Sequence, residues 1–222
     1  MTTSEPTVFL IDIDNTLIDN DRIQDDLRTQ LQSTLDAAEC TRYWEIFETL
    51  REQLGYADYL GSLQHLRRSG VNDQPLLQLS TFLLDYPFAE RVYKGAAKAL
   101  GHLRQWGQTV ILSDGDVVLQ PRKIQRSGLW QAVEGRVLIY IHKEHMLEQV
   151  VRAYPAHHYV MIEDKLRILS AMKAIWGDRL TTIFVRQGHY GLDHQANAKY
   201  APADLSFERI EQLIDYSPLS RS

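Results

Sequence analysis

Two aspartates stand two residues apart where an apolar run ends. Residues 8–13 read VFLIDI, and Asp12 and Asp14 close the run, with Asn15 and Thr16 next. Three more places repeat that order of apolar run and then reactive group. TVILS (109–113) ends on Ser113, followed by Asp114, Gly115 and Asp116; RVLIYI (136–141) is soon followed by Lys143; YVMIED (159–164) ends on Glu163 and Asp164. A carboxylate can serve as nucleophile, acid, base or ligand to a hard cation. A hydroxyl donates and accepts hydrogen bonds, and an ammonium supplies fixed positive charge. One polar strand end is unremarkable by itself. Four of complementary chemistry, on neighbouring strands, outline a site.

These groups need a sheet to hold them. The runs at 8–13, 109–113, 136–141, 159–164 and 181–186 are continuously apolar, as strands buried on both faces are. Between the later runs lie helical stretches at 95–106, around Ile124, at 147–151 and at 166–176, and a short strand near 203–205 and a helix at 207–214 close the chain. Alternating strand and helix predicts an α/β fold, a doubly wound, mostly parallel Rossmann-like sheet. The alternation is interrupted once. Ile23, Leu27, Leu31 and Leu35 recur every four residues, and Tyr43, Phe47, Leu50 and Leu54 continue the stripe. Gly55, Ser69-Gly70 and Pro87 break the segment, leaving a third helix with Leu60, Leu63 and Leu66 and a fourth over 74–84. About 70 structureless residues would be improbable in a compact domain, so 18–91 is expected to be an inserted helical subdomain. The α/β core is then 1–17 and 92–222. Ligands of such sheets bind beyond the carboxyl ends of the strands, where the reactive groups lie.

Composition narrows the classes. A net charge of −5 without a basic cluster gives no reason to bind nucleic acid. No apolar run approaches the roughly 20 residues that span a membrane, so no membrane partner is expected. The opening residues MTTSEPT lack the features of a secretory signal, and the single cysteine, Cys40, cannot form an internal disulfide. A cytoplasmic protein, monomer or homodimer, is expected.

The motifs resemble those of the haloacid dehalogenase-like hydrolase superfamily. Its Asp-x-Asp-x-Thr motif is matched by Asp12, Asp14 and Thr16, its strand-end hydroxyl by Ser113, its lysine by Lys143 and its acidic cluster by Glu163 and Asp164. An insertion between the first and second motifs is where a subset of the superfamily carries a helical cap. The resemblance implies a Mg²⁺-dependent phosphohydrolase acting on a small phosphorylated substrate. Asp12 would attack phosphorus and form an aspartyl-phosphate; Asp14 would protonate the leaving oxygen and then activate water. Thr16, Ser113, Asp114, Gly115 and Lys143 would surround the phosphoryl group. Asp12, the Asp14 carbonyl, Asp164 and Glu163 would hold the Mg²⁺. Positive charge is needed on physical grounds: a carboxylate about 4 Å from a phosphate dianion is repelled by roughly 8 kcal/mol at an effective dielectric near 20.

Asp14 separates branches of the superfamily. Dehalogenases attack carbon and lack an acid two residues after the nucleophile, whereas phosphatases and phosphotransferases have one because an alkoxide leaving group needs a proton. The alternatives are a phosphotransferase or mutase, and a catalytically weak member that binds a phosphorylated ligand or a partner. Two departures are visible: Glu163 stands where many relatives have glycine, free to reach the metal or to pair with Lys143, and Asp114 replaces a frequent asparagine. Lys123 and Arg122 compete with Lys143 for the phosphate and rank second. His142 and His145 read as a solvated helix end, His157-His158 as structural, Arg186 and His189 as a polar loop, Tyr43, Trp44 and Phe47 as core of the insert, and Cys40 as a small buried residue.

Overall fold

The computed structural model describes residues 7–217. Strand β1 (Thr7–Ile11) lies at the centre of a six-stranded sheet. The others are β2 (Gln108–Asp114), β3 (Val137–Tyr140), β4 (His158–Glu163), β5 (Leu180–Val185) and β6 (Leu205–Phe207), in the order β3-β2-β1-β4-β5-β6 with every pair parallel. The register sets Ile11 beside Ile111 on one side and Ile162 on the other, so β2 and β4 run past the end of β1 to Asp114 and Glu163. From β1 the chain builds outward in both directions, which places the switch in strand order beside β1 and opens a crevice beyond its carboxyl end.

Apolarity on both faces of each strand has a plain cause. Phe9, Ile11, Ile111, Ile162 and Val185 belong to one apolar cluster, and Val8, Leu10, Val110, Leu112 and Met161 to a second. Successive side chains of a strand point to opposite faces, so each face needs its own layer. The helices α8 (Leu147–Ala153) and α9 (Leu166–Trp176) cover the second face. The first is covered by α5 (Ala96–Leu103), α6 (Leu119–Arg126) and α7 (Leu129–Ala132).

Four helices follow β1: α1 (Asn20–Thr34), α2 (Ala37–Leu54), α3 (Tyr59–Arg68) and α4 (Asp73–Asp85). Each buries the stripe its sequence carries, with Ile23, Leu27 and Leu31 in α1, Tyr43, Phe47 and Leu50 in α2, and Leu76, Leu79 and Leu83 in α4. Their starts are written in side chains. Asp19, Asp36 and Asp58 each accept a backbone N–H of the first turn, and Asp36 forms a reciprocal capping box with Glu39. Leu35 is extended and ends α1, so the leucine repeat does not run on into α2. Gly55 ends α2 in the left-handed conformation, φ 79°.

Several boundaries differ from the sequence reading. The strand expected over 8–13 stops at Ile11, although the Asp12 N–H still donates to the Ile162 carbonyl of β4 at 3.0 Å. The helix expected at 207–214 is a 3₁₀ turn over Ile210–Asp215, and Phe207 belongs to β6. The helix expected over 95–106 spans only Ala96–Leu103. Short helices α10 (Gly188–Leu192) and α11 (His194–Asn197) had no periodic stripe to announce them. Among the described residues no helix is long and apolar enough to cross a membrane.

Candidate active site

The carboxyl ends of β1, β2 and β4, with the turn after β3, bring Asp12, Asp14, Ser113, Lys143, Glu163 and Asp164 together. Lys143 opens a 3₁₀ turn, Lys143–His145, and is buried to 1% exposure. Its ammonium bonds Asp12 Oδ1, stands 2.6 Å from Glu163 Oε2, and donates to the Leu112 carbonyl at 3.2 Å. Glu163 therefore pairs with Lys143, one of the two roles its position left open. The turn is itself fixed by Asp114, whose Oδ1 accepts the Lys143 backbone N–H at 2.7 Å. Asp114 thus positions the lysine. The Gly115 N–H is also spent, on the Tyr140 carbonyl at 3.1 Å.

A second lysine serves the second aspartate. Lys123 Nζ lies 2.7 Å from Asp14 Oδ1 and 3.0 Å from Asn20 Oδ1. Gln120, one turn earlier on the same face of α6, donates to Ser113 Oγ at 2.8 Å and stands 3.3 Å from Asp14 Oδ2. Each aspartate has its own lysine. Gln120 was missed by the sequence reading. Its signal was the i, i+3 spacing from Lys123 on a helix that begins just after Ser113.

The loop that follows the two aspartates is clamped. Asn15 adopts φ 61° and its Oδ1 accepts the N–H groups of Asn20 and Asp21, at 3.0 and 3.2 Å. Gln187 Nε2 reaches the Asn15 and Thr16 carbonyls, and Asp21 pairs with His189 at 2.5 Å. His189, read as part of a polar loop, thus ties α10 to α1. Thr16 is fully buried, and its hydroxyl has no hydrogen-bond partner among the described residues. His142 and His145 lie with ring centres 5.6 Å apart. His158 meets Thr181 at the amino end of β4, opposite the site.

Burial governs the charges here. Asp12 is pushed up to about 7 by burial and by Glu163, against the pull of Lys143. Burial and then Glu163 also push Asp164 well above the usual carboxylate range. For Glu163 burial works upward, but Lys143 and Lys165 outweigh it and hold the group below its ordinary value. For Lys143 burial opposes the charge, yet Asp12, Glu163 and Asp114 raise the group overall. Negative charge therefore exceeds what Lys143 alone balances. Oxygens of Asp12, Glu163 and Asp164 lie within 4.8 Å of one another, the one such group of three among the described residues. Both Asp164 oxygens are buried without a hydrogen-bond partner there. A buried carboxylate with no donor is costly, and three oxygen donors around one point suit a hard divalent cation. The cluster fits such an ion.

The sequence profile of haloacid dehalogenase-like hydrolases matches residues 6–175. A comparison with curated proteins gives no match. Among solved structures, a haloacid dehalogenase-like hydrolase from Burkholderia xenovorans is 60% identical, covers 96% of this chain and 100% of its own, and superposes with a TM-score of 0.92. A HAD-hydrolase from Bacillus subtilis, bound to magnesium, is 16% identical over 96% of this chain and 98% of its own, with a TM-score of 0.64. L-2-haloacid dehalogenase from Xanthobacter autotrophicus is 13% identical over 95% and 97%, with a TM-score of 0.61. The last two share the fold.

Proposed function

We propose, for a chain that belongs to the haloacid dehalogenase-like hydrolase family, that it hydrolyses a small phosphate monoester through an aspartyl-phosphate. The observation that carries this is the division of the two aspartates between two lysines. Asp12 is buried against Lys143, and Asp14, 28% exposed, is held by Lys123 and Gln120. The buried carboxylate is fixed for attack; the more open one can exchange a proton.

In the first step Asp12 Oδ forms a bond to phosphorus as the ester oxygen leaves, and Asp14 gives that oxygen its proton. In the second, Asp14 takes a proton from water, the hydroxide displaces the Asp12 carboxylate from phosphorus, and inorganic phosphate is released. Gln120 orients Ser113 Oγ, which is free to donate to a phosphoryl oxygen once it turns from the Asp114 carbonyl, 3.2 Å away. Asp12, Asp164, Glu163 and the Asp14 carbonyl would hold Mg²⁺, which when bound would supply positive charge to offset repulsion between carboxylate and phosphate. Asp114 acts by holding the Lys143 turn. The helices α1–α4 act as a cap over the carboxyl ends of the strands.

A halide leaves as a stable anion and needs no proton, so a dehalogenase would have no use for an acid at Asp14. Whether water or a second substrate takes the phosphoryl group separates a hydrolase from a phosphotransferase. A panel of phosphate esters with and without Mg²⁺, run beside 2-haloacids, tests the reading. Metal-dependent release of phosphate is expected from at least one ester, with none from Asp12→Asn. Halide release with no phosphatase activity, or turnover by folded Asp12→Asn, would overturn it.

A further inference from the structure

Lys165 follows the acidic pair of β4 and has no part in the steps above. Its backbone N–H donates to Glu163 Oε1 at 3.2 Å, which fixes its place beside the cluster. Its ammonium lies 4.8 Å from the centre of the Tyr190 ring, and among the described residues it has no carboxylate within ion-pair range. Its charge is nevertheless felt by Asp12, Glu163 and Asp164. Tyr190 is in turn held from the inserted helices. Arg51, in the last turn of α2, donates to the Tyr190 hydroxyl at 2.9 Å. Tyr59 of α3 accepts from Asn20 Nδ2 at 3.5 Å, and Asn20 Oδ1 accepts from Lys123, the partner of Asp14. Lys165 therefore occupies the space between the acids and the helices above them. On the phosphohydrolase reading, the part of a substrate that points away from phosphorus would lie in that space.

The charge inventory says what it can receive. Lys143 is committed to Asp12 and Glu163, Lys123 to Asp14, and Arg51 to Glu48 at 2.6 Å. Lys165 alone of these cations makes no ion pair among the described residues: its ammonium faces the Tyr190 ring, and Asp164, Glu163 and Asp12 act on its charge only from beyond contact range. One monovalent cation matches one monoanion; a second phosphate dianion would bring charge that nothing left over here balances. We infer that Lys165 is a specificity-determining residue that receives a carboxylate on the leaving group of the phosphate ester. The inference rests on the phosphohydrolase reading of the same site.

Two esters of equal chain length test it: 3-phosphonooxypropanoate and propyl phosphate, which differ by a terminal carboxylate. The wild-type kcat/KM for the first is expected to exceed that for the second by about tenfold or more, the size of a charge-assisted contact. Lys165→Met brings the ratio towards one, and Lys165→Arg keeps most of it. The wild-type ratio also falls as ionic strength rises, a readout that stands if Lys165→Met does not fold. A wild-type ratio near one, a ratio unmoved by salt, or an intact ratio in folded Lys165→Met overturns the inference. So does a stronger preference for propane-1,3-diol bisphosphate. Propyl phosphate turned over without preference leaves the phosphohydrolase reading standing. No phosphate release from any ester, p-nitrophenyl phosphate included, removes both.

Discussion

With Lys143 gone, Asp12 and Glu163 would face one another in a buried space with no cation between them. Breaking a buried pair from one side costs about 3–5 kcal/mol, because the remaining charge is left uncompensated. Lys143→Ala is therefore expected to lower stability by about that amount in a denaturant melt and to abolish turnover. Lys123→Ala removes a partner from the more exposed Asp14 and should cost less stability while still reducing kcat. Equal stabilities for the two variants would show that the buried triad does not hold the site together. Asp164 poses the opposite problem, a carboxylate buried without a donor. Added Mg²⁺ should raise the melting temperature of the wild type, since a ligand that binds only the folded state stabilises it. Asp164→Ala should lose that rise and Glu163→Ala should lose less, because Glu163 already has Lys143. A calorimetric scan with and without Mg²⁺ decides it, and the reverse ranking would show Glu163 to be the principal ligand.

Elements hold these residues through a few polar contacts between strands. Asp204 leads into the edge strand β6 and accepts from the Thr182 N–H at 2.8 Å, the Thr182 hydroxyl at 2.9 Å and Lys173 at 3.0 Å. Burial works against its charge, but these donors outweigh it and hold Asp204 below its ordinary value of 3.8. A depressed carboxylate contributes stability that is present above the unfolded value and lost as pH falls through the folded one. Acid unfolding of the wild type should therefore steepen below about pH 4. Asp204→Asn should flatten that step and cost about 1 kcal/mol at neutral pH, one net charged hydrogen bond at a partly exposed site. An unchanged pH profile would remove Asp204 from the account. Much at this scale was legible in the sequence. Apolar runs capped by acids marked β1, β2 and β4 because burial on both faces leaves a strand no polar position until it ends. The stripes of α1–α4 were readable for the same reason. The 3₁₀ turn over Ile210–Asp215 was not, since Ile210 and Leu213 satisfy a helical spacing over so few residues either way. Gln120, Asn15 and Lys165 were also hidden. Their roles depend on which loops meet, and parallel strands far apart in sequence settle that only in three dimensions.

At the scale of the whole molecule, the four inserted helices join the sheet through two adjacent connections. Asp19 N–H donates to the Arg91 carbonyl at 2.8 Å, and Tyr93 N–H to the Leu17 carbonyl at 2.9 Å, so the outgoing and returning chains form a short antiparallel stub. Ile18 and Val92 bridge there, beside Asp14, which itself bridges Ile18. Any rotation of the helices over the sheet must pass through this stub. Besides the shared apolar cluster and the Asp21–His189 pair, polar contacts at the rim resist rotation. On one side, Arg122 and Arg126 of α6 meet Asp85 of α4 at 2.8 and 3.7 Å; on the other, Arg51 meets Tyr190. All three arginines are exposed by about two fifths of their side chains. Exposed ion pairs contribute about 0–1 kcal/mol each. The two pairs on Asp85 therefore resist opening by only about 0–2 kcal/mol together, within reach of ligand binding. On the proposed mechanism, a covalent phospho-aspartate would gain from such an arrangement, closed while it forms and open to water and product afterwards. Dyes on Glu52→Cys in α2 and Glu148→Cys in α8, with Cys40→Ser to remove the native thiol, would report the angle between the two parts by energy transfer. All three sites lie outside the acid cluster. Adding Mg²⁺ and a slow ester to the Asp12→Asn form should narrow the distance distribution towards its short end. Asp85→Ala with Arg51→Ala should shift the unliganded distribution towards its long end. A single distribution, unmoved by ligand and by loss of the rim contacts, would mean that the helices are a fixed wall and not a moving cap.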